Sequence, residues 1–156
     1  MINSTLSIGI ITRNRQASLK KCISRLLPQI SSKDRLIIVD NNSDDGTWPY
    51  LESIRSKKTI AIHRKDNQPY GARYLVMAEA VNQKSDLFSF IDDDCLATKG
   101  WIKNIKSAHE KNSSPVIQGY SVSVPKSNVL SKLTQKLYDN WLSYNTHRGN
   151  LLIIDT

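Results

Sequence analysis

Short apolar runs rich in β-branched residues alternate along this chain with stretches whose apolar residues recur every three or four positions. The first run is Leu6-Ser7-Ile8-Gly9-Ile10-Ile11, and Leu19, Cys22, Ile23, Leu26 and Ile30 follow at helical spacing. Pro28 ends or kinks that helix, because a proline ring removes a backbone donor and clashes with the preceding turn. Arg35-Leu36-Ile37-Ile38-Val39 predicts a second strand, followed by the polar turn Asp40 to Gly46. Thr47 then caps a short helix that carries Pro49 in its first turn. A third strand over Thr59 to His63 precedes a loop and a helix from about Ala72 to Asn82, with Leu75, Val76 and Ala80 facing inward. The fourth strand, Leu87-Phe88-Ser89-Phe90-Ile91, empties directly into Asp92-Asp93-Asp94. Trp101, Ile105 and Ala108 mark another helix, Val116 to Val122 a strand, and Val129 to Tyr144 a further helix. A last apolar run spans Leu151 to Ile154. This alternation predicts an α/β fold with a mostly parallel sheet flanked by helices, as one domain over residues 1–156.

In such sheets ligands bind beyond the carboxyl ends of the strands. Three of those ends are polar here: Thr12-Arg13-Asn14-Arg15, Asp40-Asn41-Asn42-Ser43-Asp44, and Asp92-Asp93-Asp94. Parallel strands would gather all three at one edge. Adjacent carboxylates repel each other unless a positive charge offsets them, and a divalent cation does so. Mg²⁺ and Mn²⁺ are hard ions that take oxygen ligands. Residues two apart in an extended chain point the same way, so Asp92 and Asp94 can share a ligand while Asp93 turns aside. An acidic solvated turn is the plainer alternative for the triplet. Asp40 can accept from a nucleobase N–H or a ribose hydroxyl, or close an Asx turn. Arg73 can reach a diphosphate through paired N–H donors, or lie in solvent as a surface arginine.

Composition narrows the class. With 39% hydrophobic and 23% charged residues, the chain is an ordinary globular domain rather than a disordered one. The formal net charge of +8 points to an anionic partner. Lys and Arg are scattered without interleaved aromatics, so nucleic acid is not expected. Cys22 and Cys95 make neither a disulfide framework nor a metal-ligand spacing, which favours a reducing, cytoplasmic setting. Cys22 falls on the apolar stripe of its helix and belongs to the core. Neither a signal-peptide pattern nor an apolar run of roughly 20 residues is present in the sequence.

The order of four blocks resembles the family 2 glycosyltransferases of GT-A fold. They are Ser7 to Arg15, Ile37 to Thr47, Asn67 with Gly71-Ala72-Arg73, and Phe90 to Asp94. Gly149-Asn150 before an apolar run is similar to a later family element. The resemblance implies an inverting transfer of a sugar from a nucleoside-diphosphate sugar to an acceptor hydroxyl, on a glycan or lipid-linked acceptor. It implies a donor-binding set of Thr12, Asn14, Asp40, Asp44, Arg73, Asp92 and Asp93. Asp94, with Asp92, would hold Mn²⁺ or Mg²⁺. A UDP-sugar is the family's habitual donor. Peripheral contact with an anionic membrane at its inner face fits the basic charge.

The family's general base comes from an acidic motif downstream of the Gly-Asn element, and the sequence stops at Thr156 before one. His147 and Asp155 are the late titratable candidates, neither in the expected context. The expected catalytic base is therefore absent, and the chain reads as the donor half. Tyr74 stands where many relatives carry a small amide. A non-catalytic nucleotide-sugar-binding module is the alternative. A sugar-phosphate nucleotidyltransferase would want a Gly-rich loop after the first strand, where Thr12 to Gln16 has no glycine. A phospho-acceptor signalling domain would want an acidic pair there.

Overall fold

A computed structural model describes residues 4–66 and 71–111 in full, the backbone of residues 69–70, and short strands at 118–119 and 153–154. The chain divides into two compact units, Met1–Ile102 and Lys103–Thr156. In the first, β1 (Leu6–Thr12), β2 (Arg35–Asn41), β3 (Thr59–Arg64) and β4 (Leu87–Phe90) form a parallel sheet in the order β3-β2-β1-β4. The connecting helices are α1 (Gln16–Leu26), α2 (Thr47–Ser53) and α3 (Pro69–Asn82). Parallel crossovers are right-handed. Two of them step from β1 to β2 to β3, which puts α1 and α2 on one face. The third steps back past β1 to β4, which puts α3 on the other.

Both faces of the central strands are therefore covered. Ile8, Ile10, Leu36 and Ile38 are fully buried, and so are Leu19, Cys22 and Leu26 of α1. Each such side chain contributes about 1.5–3 kcal/mol relative to an exposed one. On the α3 side, Ile37 and Val39 pack with Ala72, Val76 and Ala80, flanked by the half-buried Leu75. Gly9 makes this packing close, because a Cβ placed there would lie 2.3 Å from Val76 Cγ1. Cys22 is core, as its place on the stripe predicts.

Pro28 acts as expected: α1 closes at Leu26 and continues only as a 3-10 turn, Leu27–Gln29. Thr47 does not cap α2. It is the buried first helical residue, after Gly46 in a left-handed conformation (φ 86°), and its N–H donates to Asp45 Oδ1 at 3.0 Å. The reason is local: Gly46 makes the sharp turn that lets the Asp45 carboxylate fold back onto the helix end. Pro49 does lie in the first turn of α2.

β4 ends the four-stranded sheet among the described residues and is only half-buried. α4 (Trp101–Lys111) buries Ile102 and Lys106, while Trp101, Ile105 and Ala108 are half-buried. In the second unit β5 (Gln118–Gly119), inside the expected strand Val116 to Val122, pairs in parallel with β6 (Ile153–Ile154), inside the last apolar run. Asn67, the helix expected over Val129 to Tyr144, His147, the Gly149-Asn150 element and Asp155 lie outside the described residues.

Candidate donor site at the sheet edge

The strand order reverses between β1 and β4, so this is the switch point where open α/β sheets hold ligands. A depression of about 200 Å³ opens there, lined by Ile11, Asn41, Arg73, Phe90, Ile91 and Asp92. These residues come from the carboxyl ends of β1, β2 and β4 and from the N-terminal half of α3. Register explains the β2 contribution. Ile37 and Val39 face α3, and Asn41, two residues on, does the same. Arg73 lies with its guanidinium carbon 5.1 Å from the centre of the Phe90 ring, a cation–π contact on the wall of the depression.

Asp40 points the opposite way and is fully buried. Its Oδ2 lies 2.8 Å from His63 Nδ1, and its Oδ1 accepts from the Ser43 hydroxyl. His63 sits beside it in register on β3, 25% exposed, with the Trp48 ring 4.8 Å away. The Ser43 hydroxyl also accepts from Asn14 N–H at 2.9 Å, while Asn14 Oδ1 accepts from Asp44 N–H at 2.8 Å. The two loops after β1 and β2 are thus laced together, with Asn14 (φ 52°) and Asn42 (φ 64°) in left-handed conformations that asparagine tolerates. The Asp44 side chain is exposed. Asp45 accepts from Gln16 N–H at 3.1 Å as well as from Thr47, so one carboxylate caps both α1 and α2. The Thr47 hydroxyl bond, above all, holds the Asp45 pKa below the usual carboxylate range.

The acidic triplet turns sharply after β4. Asp92 O accepts from Cys95 N–H at 3.0 Å, closing a turn, and from Cys22 Sγ at 3.6 Å. Burial pushes the Cys22 thiol up to about 12, so it is an inert packing group here. Asp93 is buried inside the turn, and its Oδ2 accepts from Thr12 Oγ1 at 2.7 Å. Asp92 and Asp94 face outward. Arg15 Nη1 lies 3.2 Å from Asp93 Oδ1 and 2.8 Å from Asp94 Oδ2. The nearby Asp93 charge, chiefly, raises the Arg15 pKa. Arg15 therefore offsets part of the charge that the sequence alone assigns to a metal.

The residues suit a hard divalent ion in donor chemistry: Asp92 and Asp94 are exposed carboxylates on one turn. Among the described residues no three His, Cys, Asp or Glu side chains converge as a metal-holding group.

Of the expected set, the structure brings Arg73 and Asp92 to the depression and puts Asp94 on the adjoining turn. Thr12, Asn14, Asp40 and Asp93 instead hold the loops. Asn41, Arg15, His63 and Asp45 were not singled out by the sequence. Asn41 was readable in principle from its two-residue spacing after Ile37 and Val39, had the α3-facing side been known. Arg15 and His63 pair across long separations and leave no local signal.

The family model described as Glycosyl transferase family 2 matches residues 7–154. The chain is 30% identical to "Uncharacterized glycosyltransferase YfnE" of Bacillus subtilis (strain 168), over 115 aligned residues covering 62% of this chain and 29% of that protein. Its fold is similar to that of TarS from S. aureus, with a TM-score of 0.63 at 20% identity over 79% of this chain and 23% of TarS. A TarS 1-349 structure in complex with UDP-GlcNAc gives 0.63 at 19% identity, covering 79% of this chain and 37% of that one. This likeness shows the GT-A architecture. The chain spans well under half the length of each of these proteins.

Proposed function

The chain belongs to glycosyl transferase family 2, and from that premise we propose that it binds a nucleoside-diphosphate sugar at the β1/β4 depression and serves inverting transfer of the sugar to an acceptor hydroxyl. The observation that carries this reading is the meeting of Asn41, Arg73 and Asp92 at the switch point. Asn41 would line the nucleoside end of the depression. Arg73 offers paired N–H groups to the diphosphate, and its stacking on Phe90 holds the guanidinium plane in place. Asp92 accepts from a hydroxyl of the ribose or donor sugar. Thr12 and Asp93 fix the turn that presents Asp92 and Asp94.

Asp94 and Asp92 would hold Mn²⁺ or Mg²⁺. When bound, such an ion supplies positive charge to a departing nucleoside diphosphate. UDP is the favoured nucleotide because a TarS 1-349 structure of the same fold carries UDP and another UDP-GlcNAc. The acceptor would be a glycan or lipid-linked hydroxyl. Inversion also requires a carboxylate to take the acceptor's proton, and the described residues of the depression assign none, so their work is on the donor side. No helix among the described residues is long and apolar enough to cross a membrane. With its +8 charge the protein would act in the cytoplasm, against an anionic membrane face.

Calorimetry with UDP and Mn²⁺ tests the donor site. Saturable binding by the wild type, lost in Asp94→Ala and with chelator, is expected. Nucleotide binding indifferent to both would remove the reading. A turnover assay then separates an active transferase from a module that binds without turnover.

A further inference from the structure

We propose that Arg15 is the built-in counter-cation of the acidic turn, and that Asp94 takes up a divalent ion only by exchanging Arg15 for it. The inference rests on the donor-site reading above. A single nitrogen, Arg15 Nη1, bridges Asp93 Oδ1 at 3.2 Å and Asp94 Oδ2 at 2.8 Å. The two carboxylates it joins are not equivalent. Asp93 is buried and its other oxygen is held by Thr12 Oγ1 at 2.7 Å, so it keeps its place without Arg15. Asp94 is 54% exposed and can turn to a new partner.

Arg15 is itself 53% exposed and stands just before α1, so its guanidinium can swing into solvent. A guanidinium and a divalent ion repel each other, and they would compete for the same exposed carboxylate. Sharing is disfavoured and exchange follows. The turn meanwhile stays fixed, because the Thr12–Asp93 bond and the Cys95 N–H to Asp92 O bond do not involve Arg15. Arg15 is thus a positioning residue. It balances the charge of the turn while no ion is bound, and it lowers the affinity of the empty site for metal.

The test is Mn²⁺ binding to the full chain, read by the electron paramagnetic resonance signal of free Mn²⁺, with and without UDP. Arg15→Gln is expected to bind Mn²⁺ about two- to fivefold more tightly without UDP, the size of an exposed charge pair. Arg15→Lys should stay within about twofold of wild type, because the competing charge remains. A purely structural role moves the affinity the other way, since loss of Arg15 would loosen the turn. Unchanged or weaker Mn²⁺ affinity in Arg15→Gln overturns the proposal. No Mn²⁺ bound by the wild type even with UDP overturns the metal-site reading itself, which is a different result. Should Arg15→Gln not fold, the wild-type Arg15 side-chain ¹⁵N resonance serves instead. It should shift in step with Mg²⁺ saturation, and a resonance unmoved at saturating Mg²⁺ overturns the exchange.

Discussion

The two sides of the sheet's carboxyl edge carry similar side chains and use them differently. On the α1/α2 side, Asp40, Asp93 and Asp45 are each engaged by protein donors: His63 and Ser43, Thr12 and Arg15, Gln16 and Thr47. On the α3 side, Asn41, Arg73 and Asp92 line an open depression. Consecutive residues, Asp40 and Asn41 or Asp92 and Asp93, fall on opposite sides of this divide. Acidity alone therefore does not mark a ligand-binding residue in this fold. The face of the strand decides which of these residues reach the depression.

Substitutions across the divide should separate stability from binding. The largest effect is expected for Asp40→Ala, which strips His63 and Ser43 of a buried acceptor. It should cost about 2–4 kcal/mol in chemical denaturation. Asn41→Ala, at the depression, should weaken UDP binding in calorimetry, and an unchanged UDP affinity would erase the contrast. Asp93→Ala should cost about 2–3 kcal/mol by leaving the buried Thr12 hydroxyl without its acceptor, against less than about 0.5 kcal/mol for the exposed Asp92→Ala. Arg73→Ala should leave the denaturation midpoint nearly unchanged while weakening UDP binding about 10- to 100-fold in calorimetry, the worth of a charge-assisted pair.

A further effect concerns Asp45. Its folded pKa lies below the ordinary 3.8, so the stability it supplies is present above that value and fades as pH falls through the folded pKa. Asp45→Ala should cost about 1 kcal/mol near neutral pH, as loss of a helix cap does. The gap from wild type should narrow in acid below 3.8. A gap constant across pH would mean the charge contributes nothing.

The strands and helices of the first unit were legible because apolar periodicity reports burial directly. β1 to β4 and α1 to α3 appear in order, with ends moved by a few residues. The facing of β2 was not legible. Leu36, Ile37, Ile38 and Val39 are all apolar because both faces of that strand are buried, so no alternation tells which neighbour looks toward α3. The sequence therefore leaves open which of Asp40 and Asn41 looks toward α3. The charge balance of the triplet was half legible. Crowded carboxylates announce a need for positive charge, but a lone arginine 78 positions away from Asp93 carries no mark that it answers that need.

The close packing at residue 9 has a reach beyond its own strand. Val76 sits against the missing side chain of Gly9, one turn along the same helix from Arg73. A methyl group there would push the helix outward and carry the guanidinium with it. Misplacement of about 1 Å can cost a hundredfold in rate when a reacting group must be aimed. The aim of Arg73 is thus calibrated at a position that contributes no atoms of its own beyond the backbone.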